Sequence, residues 1–131
     1  MSKLIRVVLG ILFDQTGRIL IAKRPDKAHL GGLWEFPGGK IDVGESAFEA
    51  LKREMFEEIS VTVKHAERFY EIEHQYADRT VHLDCWKVLE FSGEACGHEG
   101  QEVRWVAVSE LGQYEFPEGN QVLIDTLLNG G

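Results

Sequence analysis

A chain of 131 residues is long enough for one domain with its own core and too short for two comfortable ones, so residues 1–131 are expected to form a single domain. Hydrophobic residues make up 44% and charged ones 27%, ordinary globular values, and no stretch is biased enough to be a linker or repeated elsewhere. A net charge of -8 speaks against a groove that holds DNA or RNA through its phosphates, and no stable nucleic-acid binding is expected. The charge leaves room for a small nucleotide, provided divalent ions lie between the protein's carboxylates and the phosphates.

In chain order, Leu4–Phe13 and Arg18–Arg24 are rich in Ile, Leu and Val and flank Asp14-Gln15-Thr16-Gly17, which predicts a hairpin. Val7–Phe13 follows Lys3 and Arg6, but no small-residue cleavage site comes after it, so it reads as a first strand and not a secretion signal. Residues 25–32 carry Pro25, Gly31 and Gly32 and read as a loop; Leu33-Trp34-Glu35-Phe36 is a short strand ended by Pro37-Gly38-Gly39. A helix should begin near Ser46, where Ser46 and Glu49 match a capping box, and run to about Ile59. Phe48, Leu51, Met55 and Ile59 recur at helical spacing and should form its buried stripe.

Val61–Gln75 and Thr80–Phe91 alternate as two strands around Ala77-Asp78-Arg79, and Glu102–Val108 reads as another strand. A final helix has Pro117 in its first turn, takes apolar contacts from Val122, Ile124, Leu127 and Leu128, and stops at Asn129-Gly130-Gly131. The fold class is therefore α+β (mixed α/β), a mixed sheet flanked by helices. Cys85 and Cys96 have neither C-x-x-C nor zinc-ligand spacing, so reduced thiols are expected, with Cys85 packed in a strand. No apolar run approaches the roughly 20 residues that cross a bilayer, and a cytoplasmic protein without membrane contact is expected.

Glu54, Glu57 and Glu58 lie at i, i+3 and i+4, which puts three carboxylates on one helix face about a quarter turn from the apolar stripe. Hard oxygen ligands of this kind suit Mg²⁺, with Mn²⁺ able to substitute. Three glutamates alone are equally a solvated face with an ordinary Arg53 and Glu57 pair. The wider pattern decides: Gly39, five residues, Glu45, seven residues, Arg53-Glu54-Met55, one residue, Glu57-Glu58, one residue, Ser60-Val61. This stretch resembles the catalytic box of the Nudix hydrolases, departing at one fixed position, where Ser60 replaces a helix-ending glycine.

The resemblance implies a mixed sheet sandwiched between helices. It also implies divalent-metal binding by Glu54, Glu57, Glu58 and the carbonyl of Gly38, with Arg53 orienting the glutamates and Glu45 supporting the box. Water would attack a phosphorus of a nucleoside diphosphate linked to a further group, with Glu54 or Glu99 as general base; both remain candidates. Glu99 is also a candidate metal ligand.

Beyond the box, the segments Trp34–Ile41, Gly97–Gln101 with Trp105, and Phe116–Asn120 look like the MutT 8-oxo-dGTP pyrophosphohydrolases. That likeness implies release of a nucleoside monophosphate and pyrophosphate, and a role in nucleotide-pool sanitation alongside DNA replication and repair. Asn120 corresponds to the base-reading asparagine; its plainer reading is a residue bonding backbone at a helix start. Arg24, His29 and Arg79 match nucleotide-contacting positions and are equally plausible surface residues. Phe36 packs either on a base or in the core. His65, His74 and His82 receive no role. A monomer is expected. Another nucleotide, such as CTP or a modified pyrimidine triphosphate, is the alternative substrate, and a non-catalytic reader of oxidised bases is the alternative class.

Overall fold

The computed structural model describes residues 3–24, 31–98 and 100–130. His29 and Glu99 lie outside the described residues. Seven strands form two sheets: β1 (Lys3–Leu12), β2 (Ile19–Lys23), β3 (Trp34–Glu35), β4 (Gly38–Lys40), β5 (Thr62–Gln75), β6 (Arg79–Ser92) and β7 (Val103–Val106). Helix α1 (Ala47–Ile59) lies between β4 and β5, and α2 (Gln121–Leu128) follows two short 3-10 helices, Val108–Gln113 and Glu118–Asn120. One sheet has the order β4-β1-β6-β5, with β1 and β6 parallel; the other is β3-β2-β7 and wholly antiparallel.

Alternation along β1 explains the layering. Val8 and Leu12 join Leu51, Met55 and Ile59 of α1 in one core, while Leu9 and Ile11 join Leu123, Ile124 and Leu127 of α2 in the other. Helices thus cover opposite sides of the sheets. Gly10 lets α1 come close, since a Cβ there would lie 2.8 Å from the Met55 sulfur.

The predicted hairpin is corrected. β1 and β2 belong to different sheets and meet only at the bridge between Phe13 and Ile19. The edges of β1 are filled by β4 and β6, and those of β2 by β3 and β7, partners that local turn chemistry does not reveal. The turn itself is real: the Asp14 carboxylate accepts hydrogen bonds from the Thr16 and Arg18 backbone and from the Arg18 guanidinium. Gly38-Gly39 is likewise a strand paired with Val8 and Leu9, where a chain-ending turn was expected.

Helix α1 starts as its sequence predicts. Ser46 Oγ accepts the Glu49 N–H, and the Glu49 carboxylate accepts the Ser46 N–H. Its stripe is Ala47, Ala50, Leu51, Met55 and Ile59, with Phe48 half-buried against Trp86. In α2 the buried face is Leu123, Ile124 and Leu127, whereas Val122 and Leu128 are exposed at 49% and 43%, against the prediction. An eight-residue helix holds too few apolar positions to fix its phase.

Ser60 ends α1 in the left-handed conformation, φ 61° and ψ 33°, as the one described non-glycine residue with positive φ. The backbone closure survives the substitution: Ser60 N–H reaches Phe56 O at 3.1 Å and Val61 N–H reaches Met55 O at 3.2 Å. The cost is steric, about 1 kcal/mol for a residue with a Cβ. Ser60→Gly should therefore raise stability by about 1 kcal/mol, read from the denaturation midpoint, with no loss of turnover.

Cys85 is buried, and that burial pushes its thiol up to about 12, in keeping with a packing role. A polar feature not anticipated from sequence is Asp84, which is 2% exposed and accepts two hydrogen bonds from Arg68, at 3.1 and 3.2 Å. The Arg68 guanidinium also stacks over Trp86, 5.1 Å from the ring centre. A buried carboxylate of this kind needs such a partner. No helix among the described residues is long and apolar enough to cross a membrane.

Candidate active site

Packing places α1 directly against β4. At Gly39 an added Cβ would lie 2.4 Å from the Glu54 carboxyl, so only glycine lets that side chain rest on the strand. One position earlier, Gly38 N–H donates to Glu58 Oε2 at 3.0 Å. Glu54 and Glu58 are half-buried, and Glu57 is exposed.

Arg53 organises the surrounding charge. Its Nε and Nη2 donate to the two oxygens of Glu45 at 2.8 and 2.9 Å, a bidentate fork. Nη1 donates to Glu54 Oε1 at 2.8 Å and reaches Glu57 Oε2 at 3.5 Å, while Nη2 also donates to Lys40 O at 3.0 Å. Asp42 lies 3.5 Å from the same nitrogen. One guanidinium therefore ties the loop after β4 to α1 and fixes the orientation of Glu54. Hydrogen bonding to Arg53 holds the Glu45 carboxyl down at about 2, and the same contacts with Glu45 and Glu54 raise the Arg53 pKa.

A second concavity, about 150 Å³, is lined by Arg24, Glu35, Phe36, His74, Tyr76 and Asn120, among others. Asn120 precedes α2, and its side chain makes no capping hydrogen bond, so the plain helix-start reading does not describe it. Arg24 Nη1 donates to Glu35 Oε2 at 2.8 Å. Phe36 is 1% exposed and stacks on Phe116 at 5.2 Å; its packing is that of a core residue beneath the cleft. Arg79 stacks over Tyr76, 5.6 Å from the ring centre, and its buried Nε–H has no hydrogen-bond partner.

The model of the NUDIX domain family matches residues 8–126. The chain belongs to this family. A Nudix relative in Escherichia coli K12, an 8-oxo-dGTP diphosphatase, is 35% identical over 125 residues, covering 95% of this chain and 97% of its own. Another from the same organism, a CTP pyrophosphohydrolase, is 34% identical over 98% of this chain and 94% of its own. A solved structure from work on the MutT proteins of Aliivibrio salmonicida and Vibrio cholerae is 38% identical, with a TM-score of 0.86 over 98% of this chain and 100% of that one.

Nudix hydrolases work with a divalent metal, and the donor set here suits one. Four carboxylates, those of Asp42, Glu45, Glu54 and Glu57, share the single guanidinium of Arg53. Glu58 adds further negative charge beside the Gly38 N–H. An excess of hard, anionic oxygens on one helix face is matched by a small divalent cation. Among the described residues no three acidic, histidine or cysteine side chains already form a coordination sphere, because Glu54 and Glu57 lean on Arg53 and Glu58 on Gly38. Small side-chain rotations would be needed to gather them.

The loop bearing Glu99 reaches the same helix end, since His98 N–H donates to Glu58 O at 3.0 Å. Three residues of the Nudix cleft were not singled out from sequence: Glu35, His74 and Tyr76. His74, given no role, packs edge-on against Tyr76 at 4.6 Å. The alternation of β5 puts both on one side of the strand's last turn-proximal residues, but alternation alone does not say that the Asn120 segment covers them.

Proposed function

We propose that the whole chain acts as one Nudix unit, a Mg²⁺-dependent pyrophosphohydrolase that converts 8-oxo-dGTP to 8-oxo-dGMP and pyrophosphate. The observation that carries the reading is the Arg53 fan, which holds Glu45 and Glu54 beside Gly38-Gly39 while Glu58 rests on the Gly38 N–H. Support for the substrate comes from the 35% identical 8-oxo-dGTP diphosphatase and from Asn120, whose uncapped amide lines the cleft. The setting is nucleotide-pool sanitation by a cytoplasmic monomer.

Glu54, Glu57 and Glu58, with the Gly38 carbonyl, would hold Mg²⁺, or Mn²⁺ in its place. When bound, such an ion offsets charge on phosphate oxygens and lowers the pKa of water. Water attacks the β-phosphorus, the bond from that phosphorus to the α,β-bridging oxygen breaks, and pyrophosphate and the monophosphate leave. Glu54 or Glu99 takes the water proton, Arg53 keeps Glu54 aimed, and Arg24 and Arg79 supply positive charge to the nucleotide, with His29 a further contact. Asn120 reads the base with one donor and one acceptor.

CTP is the second reading, favoured by the 34% identical CTP pyrophosphohydrolase. Pyrophosphate release from 8-oxo-dGTP, dGTP and CTP separates the two. Preference for 8-oxo-dGTP is the expected result; equal or lower kcat/KM on it than on the others would overturn the substrate assignment.

A further inference from the structure

Glu35 has no place in the chemistry described so far, yet it is built into the cleft. It lines the same concavity as Asn120 and is largely buried, and burial raises its carboxyl pKa against the pull of Arg24. Arg24 takes Oε2, and among the described residues Oε1 has no hydrogen-bond partner. The Arg24 and Glu35 pair is not required to hold β2 on β3. Ala22 and Lys23 already pair with Glu35 and Trp34, and Arg24 N–H donates to Leu33 O at 2.8 Å. A carboxylate kept desolvated with open acceptor sites costs stability unless a ligand fills them.

Resting on the proposal that the substrate is a guanine-type nucleotide, we infer that Glu35 is a specificity-determining residue that accepts hydrogen bonds from the base's N1–H and 2-amino group. The assignment follows from donor inventories. An ionised carboxylate only accepts, and it complements two adjacent donors. Guanine and 8-oxoguanine carry such a pair at N1 and N2. Adenine offers one donor beside the N1 acceptor, and cytosine offers one donor beside N3. Asn120, with one donor and one acceptor, suits the opposite edge, where O6 lies beside N7. Arg24 then acts as a positioning residue, holding the carboxylate plane through Oε2.

The test compares dGTP with dITP, which lacks only the 2-amino group, in the parent and in Glu35→Gln, at saturating Mg²⁺. The parent should favour dGTP in kcat/KM by about 10-fold or more, carried mainly by KM, and the ratio should fall toward one in Glu35→Gln. A thermal melt of the variant near that of the parent shows that the near-isosteric change leaves the fold in place. A parent that does not distinguish dGTP from dITP overturns the inference, as does a variant that loses equally on both. Failure of the broader substrate reading is seen separately, as a parent with no preference for 8-oxo-dGTP over dGTP and CTP; the dGTP to dITP ratio still decides Glu35.

Discussion

Glu58→Gln should lower kcat by about 10³-fold or more while the protein keeps its melting temperature within a few degrees. Glu58 lies on the face of α1 beside β4, and its Oε2 accepts the Gly38 N–H at 3.0 Å. A glutamine can still accept that hydrogen bond, so the packing of helix on strand remains. What disappears is the negative charge, and with it a strong oxygen donor for a divalent cation. Losing 10³-fold corresponds to about 4 kcal/mol of transition-state stabilisation, the scale expected when charge compensation at phosphate fails. Steady-state pyrophosphate release and a thermal melt on the same preparation check both halves. A variant as active as the parent would place the metal elsewhere.

Arg53→Lys should cost about 10- to 100-fold in kcat/KM, because Arg53 acts on the metal-binding carboxylates from outside them. A lysine keeps one positive charge but cannot reproduce the fork that engages both oxygens of Glu45 and, through a separate nitrogen, Glu54. Glu54 would lose its fixed orientation, and a higher Mg²⁺ concentration should be needed for half-maximal activity. The same clamp sets an acid limit. Glu45 has a folded pKa of about 2 against an ordinary 4.5, so its contribution to stability is complete above the unfolded value and is lost as pH falls from about 4.5 toward 2. Acid denaturation of Arg53→Lys should show a weaker pH dependence across that window than the parent. An unchanged profile, with unchanged Mg²⁺ requirement, would show the fork to be dispensable.

The helix bearing the glutamates was legible because its information is local. Ser46 and Glu49 cap it, Leu51, Met55 and Ile59 phase it, and the spacing of Glu54, Glu57 and Glu58 follows from that phase. Ser60 was legible as a departure, and the structure shows why it is tolerated: the left-handed cap forms and bears only a steric cost. Pairing of β1 with β6 in parallel was hidden, since 66 or more residues separate partners such as Lys3 and Arg79 and no turn records their meeting. Glu35 and His74 were hidden for a related reason. Each is an unremarkable strand residue until β3, β5 and the turn before α2 converge on one cleft. Asp84 reads as a polar interruption in a strand, and its burial makes sense only with Arg68 folded across Trp86.

The measurement that bears most directly on the carboxylate face of α1 is turnover of 8-oxo-dGTP by protein freed of divalent ions with a chelator and then given Mg²⁺ back. Stripped protein should release essentially no pyrophosphate, and added Mg²⁺ should restore it together with one equivalent of 8-oxo-dGMP. Full turnover without any divalent ion, or release of orthophosphate in place of pyrophosphate, would contradict the assignment of Glu54, Glu57 and Glu58 as the metal-holding centre of a pyrophosphohydrolase.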